Sequence, residues 1–405
     1  MRLPSALLDS SVPILAEGYG WMPDRRARTG AATVRTRVMG QRAVGLCGPD
    51  AARFFYDEAH VRRHGAIPEP VRATLFGKGA VHTLDGAAHR CRKDVFLSLA
   101  TPEATAALAA SVAASWDECA WTPGRPVVLF DEASRVLTRG VCRWAGVPLA
   151  ESEVADLAGD LVAMVDGFAT PGPRHWRARL GRKRRENWLA GLVRGVRDGS
   201  VAAPDGSALE RVARHREPDG EPLSPRLAAV ELLNVIRPTV AVCWFVAFAG
   251  HALHRWPEHR RRLAAGGMVT EFVHELRRFY PFAPFVAGRA VTDLTWEGEQ
   301  IPEGSLVLLD LWGHNHDARY WDEPFRFRPE RFAGREVGEF DLVPQGAGDP
   351  RTNHRCPGES FTVALLEAIV PRLAALGHQV PAQDLRISLH RIPARVRSGM
   401  IITPG

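Results

Sequence analysis

The run from Pro344 to Glu359, Pro-Gln-Gly-Ala-Gly-Asp-Pro-Arg-Thr-Asn-His-Arg-Cys-Pro-Gly-Glu, delivers one cysteine, Cys356, to the start of the helical stretch SFTVALLEAIVPRLAAL. A cysteine at a helix N-terminus faces the positive end of the dipole, where the unpaired N–H groups of Gly358 and Glu359 can point at the sulfur. Pro357 is expected at the first helical position, where a missing N–H costs nothing. His354 and Arg355 add positive potential, which predicts a lowered thiol pKa. Taken alone, the segment leaves two readings open: a metal-ligating thiolate, or a buried and inert cysteine.

A second chemical candidate lies upstream. Arg237-Pro238 interrupts an apolar stretch that opens at Ser224-Pro225 and stops before Pro257. A buried arginine needs an anionic partner, because an unpaired buried charge is expensive. That partner is either a distant Asp or Glu or the carboxylate of a ligand. Further on, Glu275-x-x-Arg278 sets opposite charges three residues apart on one helical face. Phe327-Arg-Pro-Glu-Arg-Phe332 then offers another Glu and Arg in a loop ahead of the cysteine segment.

The elements that must carry these residues are mostly helices. Apolar periodicity predicts helices over 102–119, 133–144, 154–165, 180–196 and 271–280, separated by Pro-Gly turns. The central stretch predicts one helix of about 30 residues, N-capped by Ser224 with Pro225 first, and bent where Pro238 deletes the bond to the Asn234 carbonyl. Strand signals are fewer: a hairpin over 33–39 and 43–47, and alternation around two turns between Thr292 and Leu309. The polar stretch 204–222 reads as a loop. No low-complexity linker divides the 405 residues, so a single domain over 1–405 is expected, mainly α with a minor β region.

Composition narrows the function classes. The six cysteines, at 47, 91, 119, 142, 243 and 356, form no CxxC pair, which argues for a reducing cytosol and against a disulfide framework or zinc site. The first twenty residues make a poor signal peptide, and the apolar run 239–250 is too short to cross a bilayer. A cytoplasmic protein without an integral membrane segment is the expectation. Net charge is +6, densest in the arginine run 174–188 with Trp176 and Trp188. Nucleic-acid binding is weighed for that run and set below a solvated helix face.

Glu275-x-x-Arg278, then Phe327 to Phe332, then His354-Arg-Cys356-Pro-Gly358, in this order before a C-terminal helix, resembles the cytochrome P450 family over essentially the whole chain. The resemblance implies the P450 fold, with haem b between the long central helix and the cysteine helix. It makes Cys356 the axial ligand of the haem iron, and Glu275, Arg278 and Arg331 a structural network behind the cysteine loop. Two departures sharpen it. The loop has Gln345-Gly-Ala-Gly348 and extra residues in place of the usual opening phenylalanine, and Arg237-Pro238 replaces the acid-threonine pair of the central helix. Both features, with the segment Thr74 to Lys93, resemble the fatty-acid peroxygenase branch, which uses hydrogen peroxide directly.

That branch implies that Arg237 and Pro238 are catalytic, with Arg237 anchoring a long-chain fatty acid whose own carboxylate supplies the acid-base group. His82 is implied on the distal side as the product-determining position between hydroxylation at the α or β carbon and decarboxylation to terminal alkenes. Phe76 and Phe285 are implied acyl-chain contacts. Arg63, His89, Lys93 and His354 are the implied cationic partners of the haem propionates, with His89 and Lys93 one helical turn apart. The cluster His314-Asn-His-Asp317 falls in the loop before Pro329-Glu-Arg-Phe332 and is not read as a metal site. No obligatory redox partner is expected. The competing readings are a reductase-dependent monooxygenase acting on another carboxylate, and a haem-thiolate sensor without turnover.

Overall fold

Helical patterning carries through to the computed structural model, which describes residues 9–119 and 121–405. The segment read as a poor signal peptide lies partly outside the described residues. Helices Pro102–Asp117, Leu129–Ala145, Val154–Asp166 and Val269–Phe279 stand where the periodicity put them. Thr101 caps the first of these by accepting from the Ala104 N–H.

Three expectations change. The basic helix begins at Pro173 rather than Leu180, because Pro173 fits the first helical position behind Gly172. The predicted loop 204–222 contains the helix Ala208–Arg214, capped by Ser207 and anchored through buried Leu209 and Val212. The central helix is two helices, Pro225–Val240 and Cys243–Arg255. Ser224 caps its start as expected, accepting from Leu227. The break falls at 241–242, one turn beyond Pro238: the Ala241 N–H still reaches the Arg237 carbonyl at 3.0 Å, but the Val242 N–H turns to Thr239 at 3.2 Å.

The span Pro225–Arg255 is long and apolar enough to cross a membrane, yet 94% of its most apolar window is buried inside the fold. It packs against the Leu129–Ala145 and Pro173–Asp198 helices in the main hydrophobic core, which includes Leu232, Ile236, Phe248, Leu365 and Ile369. The arginine run of the basic helix is bound up locally, with Arg174 on Asp166, Arg182 on Glu186, and Arg184 and Arg185 on Asp160.

A five-stranded sheet flanks the helices, in the order Val34–Val38, Gln41–Leu46, Leu306–Asp310, Phe285–Ala290, Val61–Arg62. The predicted hairpin pairs Val38 with Gln41 across Met39 and Gly40, both at positive φ. Gln41–Leu46 runs parallel to Leu306–Asp310 with Ala43 opposite Leu306, joining two segments far apart in the sequence.

Candidate active site

Cys356 is set by its loop before it is set by its helix. Its N–H donates to the Gln345 carbonyl at 3.1 Å. The helix Glu359–Ala375 follows with Gly358 as N-cap, so Pro357 stands in the preceding turn and not at the first helical position. The Gly358 N–H bonds the sulfur, whereas the Glu359 N–H goes to the Cys356 carbonyl at 3.3 Å. The thiol pKa is raised, not lowered: burial pushes it up, followed by the charge of Glu359, against the Gly358 N–H, Lys93 and Arg277. Desolvation outweighs the local dipole, and deprotonation is left to a bound metal.

Glu359 is itself clamped by Arg277 and by Arg355 at 2.7 Å. Gln345 extends this clamp, accepting from Arg277 at 3.2 Å and donating to the Thr362 hydroxyl at 3.0 Å. Sequence spacing gave no signal for Arg277, Gln345 or Glu359 as partners of one another. Gly346 holds φ at +101°, and a Cβ there would lie 2.8 Å from the Tyr56 hydroxyl and 3.1 Å from the Arg355 Cα.

The Glu275–Arg278 pair is fully buried and bidentate, at 2.7 and 2.8 Å. Arg331 reaches Glu275 at 3.1 Å, and the Arg328 N–H donates to the same carboxylate at 2.8 Å. Arg278 also donates to the carbonyls of Asn315 and Pro324. One carboxylate thus ties the Val269–Phe279 helix to the Pro329–Phe332 turn and the segment before it.

Arg237 lies on the last turn of the Pro225–Val240 helix with 6% of its surface exposed. Among the described residues no carboxylate pairs with it. Its Nη2 faces the Asn234 amide oxygen at 3.4 Å, and its Nε has no hydrogen-bond partner among the described residues. Burial, then repulsion from Arg182, depresses its pKa to about 9, while the Cys356 sulfur acts in the opposite sense. Arg237 therefore shares a field with the cysteine. Asn234 bridges Arg237 to Glu231, which is fully buried against Arg92 at 2.8 Å.

His82 lies in the Val81–Thr83 turn with its Nδ1 buried and without a partner among the described residues. Burial, followed by Arg237, holds its pKa well below the ordinary 6.5, so the ring is neutral. Phe76 packs on it with ring centroids 4.4 Å apart. Phe285, by contrast, lies on its sheet strand against the cluster of Trp21, Met22, Val34 and Leu308. Pro238 and the Thr239 hydroxyl offer no free donor, because Thr239 back-bonds to the Val235 carbonyl at 2.9 Å.

A second group of basic side chains stands near the cysteine loop. Arg63 and Lys93 are buried, and among the described residues neither pairs with a carboxylate: Arg63 donates to the Ala287 carbonyl at 2.6 Å and to the Tyr56 hydroxyl, Lys93 to the carbonyls of Asn353 and Arg355. His89 and His354 stack at 3.9 Å, with His354 3.4 Å from Asp85. Burial comes first in depressing Lys93 to about 8, His354 to about 4 and His89 to about 3. Buried cations without carboxylates are costly unless an anionic group joins them. The cluster at 314–317 does not converge: His314 bonds the Asp341 carbonyl at 2.8 Å, and His316 bonds the Trp312 carbonyl at 3.0 Å.

The chain resembles known proteins of one family. The family model described as Cytochrome P450 matches residues 263–373. Among curated relatives, "Cytochrome P450 4e5, mitochondrial" from Drosophila mettleri is 31% identical over 164 residues, covering 35% of this chain and 31% of the relative. The 2-hydroxyisoflavanone synthase of Glycyrrhiza uralensis is 36% identical over 141 residues, covering 30% and 26%. These alignments span about a third or less of the relatives' lengths. The solved structures match end to end. A variant of cytochrome P450SP alpha (CYP152B1) is 41% identical with a TM-score of 0.94, covering 98% of both chains. Cytochrome P450EX alpha (CYP152N1) with myristic acid is 39% identical at 0.94, covering 98% and 97%. An OleT variant in complex with arachidonic acid is 34% identical at 0.94, covering 98% and 96%. The chain belongs to the cytochrome P450 family.

Within that family it falls in the fatty-acid peroxygenase branch to which these CYP152 structures belong. Its cofactor is accordingly haem b. The residues fit that group: a half-buried cysteine with a backbone N–H on its sulfur, and buried Arg63 and Lys93 with no carboxylate partner among the described residues, as porphyrin carboxylates would need.

Proposed function

We propose that this protein is a haem-thiolate peroxygenase that uses hydrogen peroxide to hydroxylate long-chain fatty acids at the α or β carbon. In the first outcome, R–CH2–COOH and H2O2 give the hydroxy acid and H2O. In a second outcome of the same site, R–CH2–CH2–COOH and H2O2 give the terminal alkene, CO2 and two H2O. When bound, haem ligated by Cys356 supplies the oxidising chemistry. Cys356, Arg63, His89, Lys93 and His354 are the residues proposed to hold it.

The observation that carries the reading is Arg237: buried, paired with no carboxylate among the described residues, and within the field of the cysteine. A guanidinium in that state is suited to a carboxylate ligand by the bidentate match of their donors and acceptors. Head-group anchoring brings the α and β carbons to the reacting position and leaves the remote chain away from it. Proton movement during O–O cleavage needs an acid-base group. Arg237-Pro238 and the back-bonded Thr239 do not provide one, and the anchored carboxylate does, accepting and returning a proton at its own oxygen. His82, held neutral by burial, is proposed to steer the product through ring contact and N–H donation, and Phe76 to line the acyl path. The six free cysteines support a cytoplasmic location.

The test is direct. Haem-loaded protein receives palmitic acid and hydrogen peroxide without NAD(P)H or reductase, and products are identified by mass spectrometry. Hydroxylated acids or alkenes are expected. Turnover only with a reductase and NAD(P)H assigns a monooxygenase instead, and inertness in both systems assigns a sensor.

A further inference from the structure

We propose that Arg182, on the basic helix and outside the segments that carry the family resemblance, is a positioning residue that fixes the Leu75–Phe76 backbone beside the substrate carboxylate site and thereby sets the product ratio. This rests on the peroxygenase reading and adds to it a determinant of regiochemistry.

Arg182 is 2% exposed. Its guanidinium is used as a fork: Nη1 donates to the Leu75 carbonyl at 2.9 Å, Nη2 to the Phe76 carbonyl at 2.7 Å, and Nε to Glu186 at 2.6 Å. The two carbonyls end the single turn Arg72–Phe76, whose last bond runs from the Gly77 N–H to Arg72. Terminal carbonyls of a helical turn are orphan acceptors, and a cation beside them is favourable. Arg182 caps that turn from a helix about 100 positions away in sequence.

The Phe76 carbonyl also accepts from the Asn234 amide at 2.9 Å, and the oxygen of that same amide faces Arg237. One carbonyl therefore joins the helix bearing Arg182 to the helix bearing Arg237. The ring of Phe76 rests on His82. Displacing the carbonyl moves the ring and the imidazole together, relative to Arg237. Arg182 is also the charge that presses on Arg237 most after burial.

Gly77 is the second half of the device. It holds φ at +91°, and a Cβ there would lie 2.3 Å from the Arg182 Nη2 and 2.8 Å from a Val230 methyl. Only glycine admits the guanidinium this close to the turn. Lysine at 182 keeps the charge but cannot span three acceptors in one plane.

Holoenzyme carrying Arg182→Lys or Gly77→Ala is compared with the parent in three measurements. Products from palmitic acid and hydrogen peroxide give the α-hydroxy, β-hydroxy and alkene ratio. Calorimetry gives the palmitate Kd, and amide hydrogen exchange follows residues 72–83. Each variant is expected to shift the product ratio severalfold and to speed exchange in 72–83 by about tenfold, the equivalent of one charge-assisted hydrogen bond. The Kd should move less than about threefold, because Arg237 still holds the carboxylate. A product ratio and exchange rate unchanged in both variants overturn the proposal. So does a uniform loss of activity at an unchanged product ratio, which marks Arg182 as merely structural. If the parent makes no product, the peroxygenase reading fails, and exchange alone decides the clamp: faster exchange in 72–83 supports it and unchanged exchange overturns it. Should Arg182→Lys not fold, Gly77→Ala carries the same readouts.

Discussion

Replacing Arg237 by methionine is expected to stabilise the fatty-acid-free protein while removing its affinity for fatty acid. The guanidinium is buried, its Nε lacks a partner among the described residues, and burial followed by Arg182 depresses its pKa from the ordinary arginine range to about 9. An arginine keeps its proton at every working pH, so the charged form carries the whole penalty. At about 1.4 kcal/mol per pH unit that penalty is roughly 5 kcal/mol before relaxation. Replacing buried charges by apolar side chains of similar volume yields about 1–4 kcal/mol of stability, and ~2 kcal/mol is expected here. Unfolding entropy near 2.1 cal/mol/K per residue, over 405 residues, converts ~2 kcal/mol into a Tm increase of about 2 °C. With fatty acid present the sign reverses. A desolvated carboxylate–guanidinium pair is worth about 2–5 kcal/mol, so the palmitate Kd should weaken between about 30-fold and a few thousandfold. Scanning calorimetry of haem-loaded parent and variant, with and without palmitate, reads both effects, and titration calorimetry gives the Kd. A variant with lower ligand-free Tm and undiminished palmitate affinity refutes the reasoning, because Arg237 would then be serving the fold and not the ligand.

Three further outcomes are expected. Glu275→Gln leaves the buried Arg278 and Arg331 guanidiniums without their shared carboxylate, costing about 3–5 kcal/mol; the urea midpoint and the ratio of haem to protein absorbance should both fall. Gly346→Ala forces a Cβ to 3.1 Å from the Arg355 backbone at a φ of +101°, and haem retention during gel filtration should drop while far-UV circular dichroism stays unchanged. The neutrality of His82, with its pKa well below 6.5, predicts a ratio of hydroxylated product to alkene that is flat from pH 6.5 to pH 8 by mass spectrometry. His82→Gln should change that ratio; a parent ratio that shifts across this pH range would show a titrating imidazole and remove the argument.

What the sequence made legible was the chemistry confined to short segments. Cys356, Glu275-x-x-Arg278 and Arg237-Pro238 each carry their meaning within a few residues, and their order along the chain gave the fold and the cofactor. Contacts between distant segments were not legible. Arg182 reaching Leu75 and Phe76, Arg277 reaching Gln345 and Glu359, and Arg92 reaching Glu231 depend on which helices pack together, and no local spacing encodes that. The direction of the Cys356 pKa was misread for the same reason: the dipole and neighbouring cations are visible in sequence, but the burial that outweighs them is not. The helix at 208–214 was hidden by the polar and glycine residues around it, with Ser207 the one local signal available.

The loop that presents Cys356 is held by residues from across the chain, and that bears on how the protein is made. Asn353 donates to the Tyr56 carbonyl, Lys93 reaches the loop carbonyls of Asn353 and Arg355, and Arg277 closes on Glu359. The parallel pairing of Gln41–Leu46 with Leu306–Asp310 adds another closure over more than 260 positions. Pairings of such sequence separation form slowly, because loop closure precedes their reward. The loop can close only once the chain from Tyr56 through Glu359 is present, so its assembly is set by contacts spanning most of the sequence and not by the local Gly-rich run.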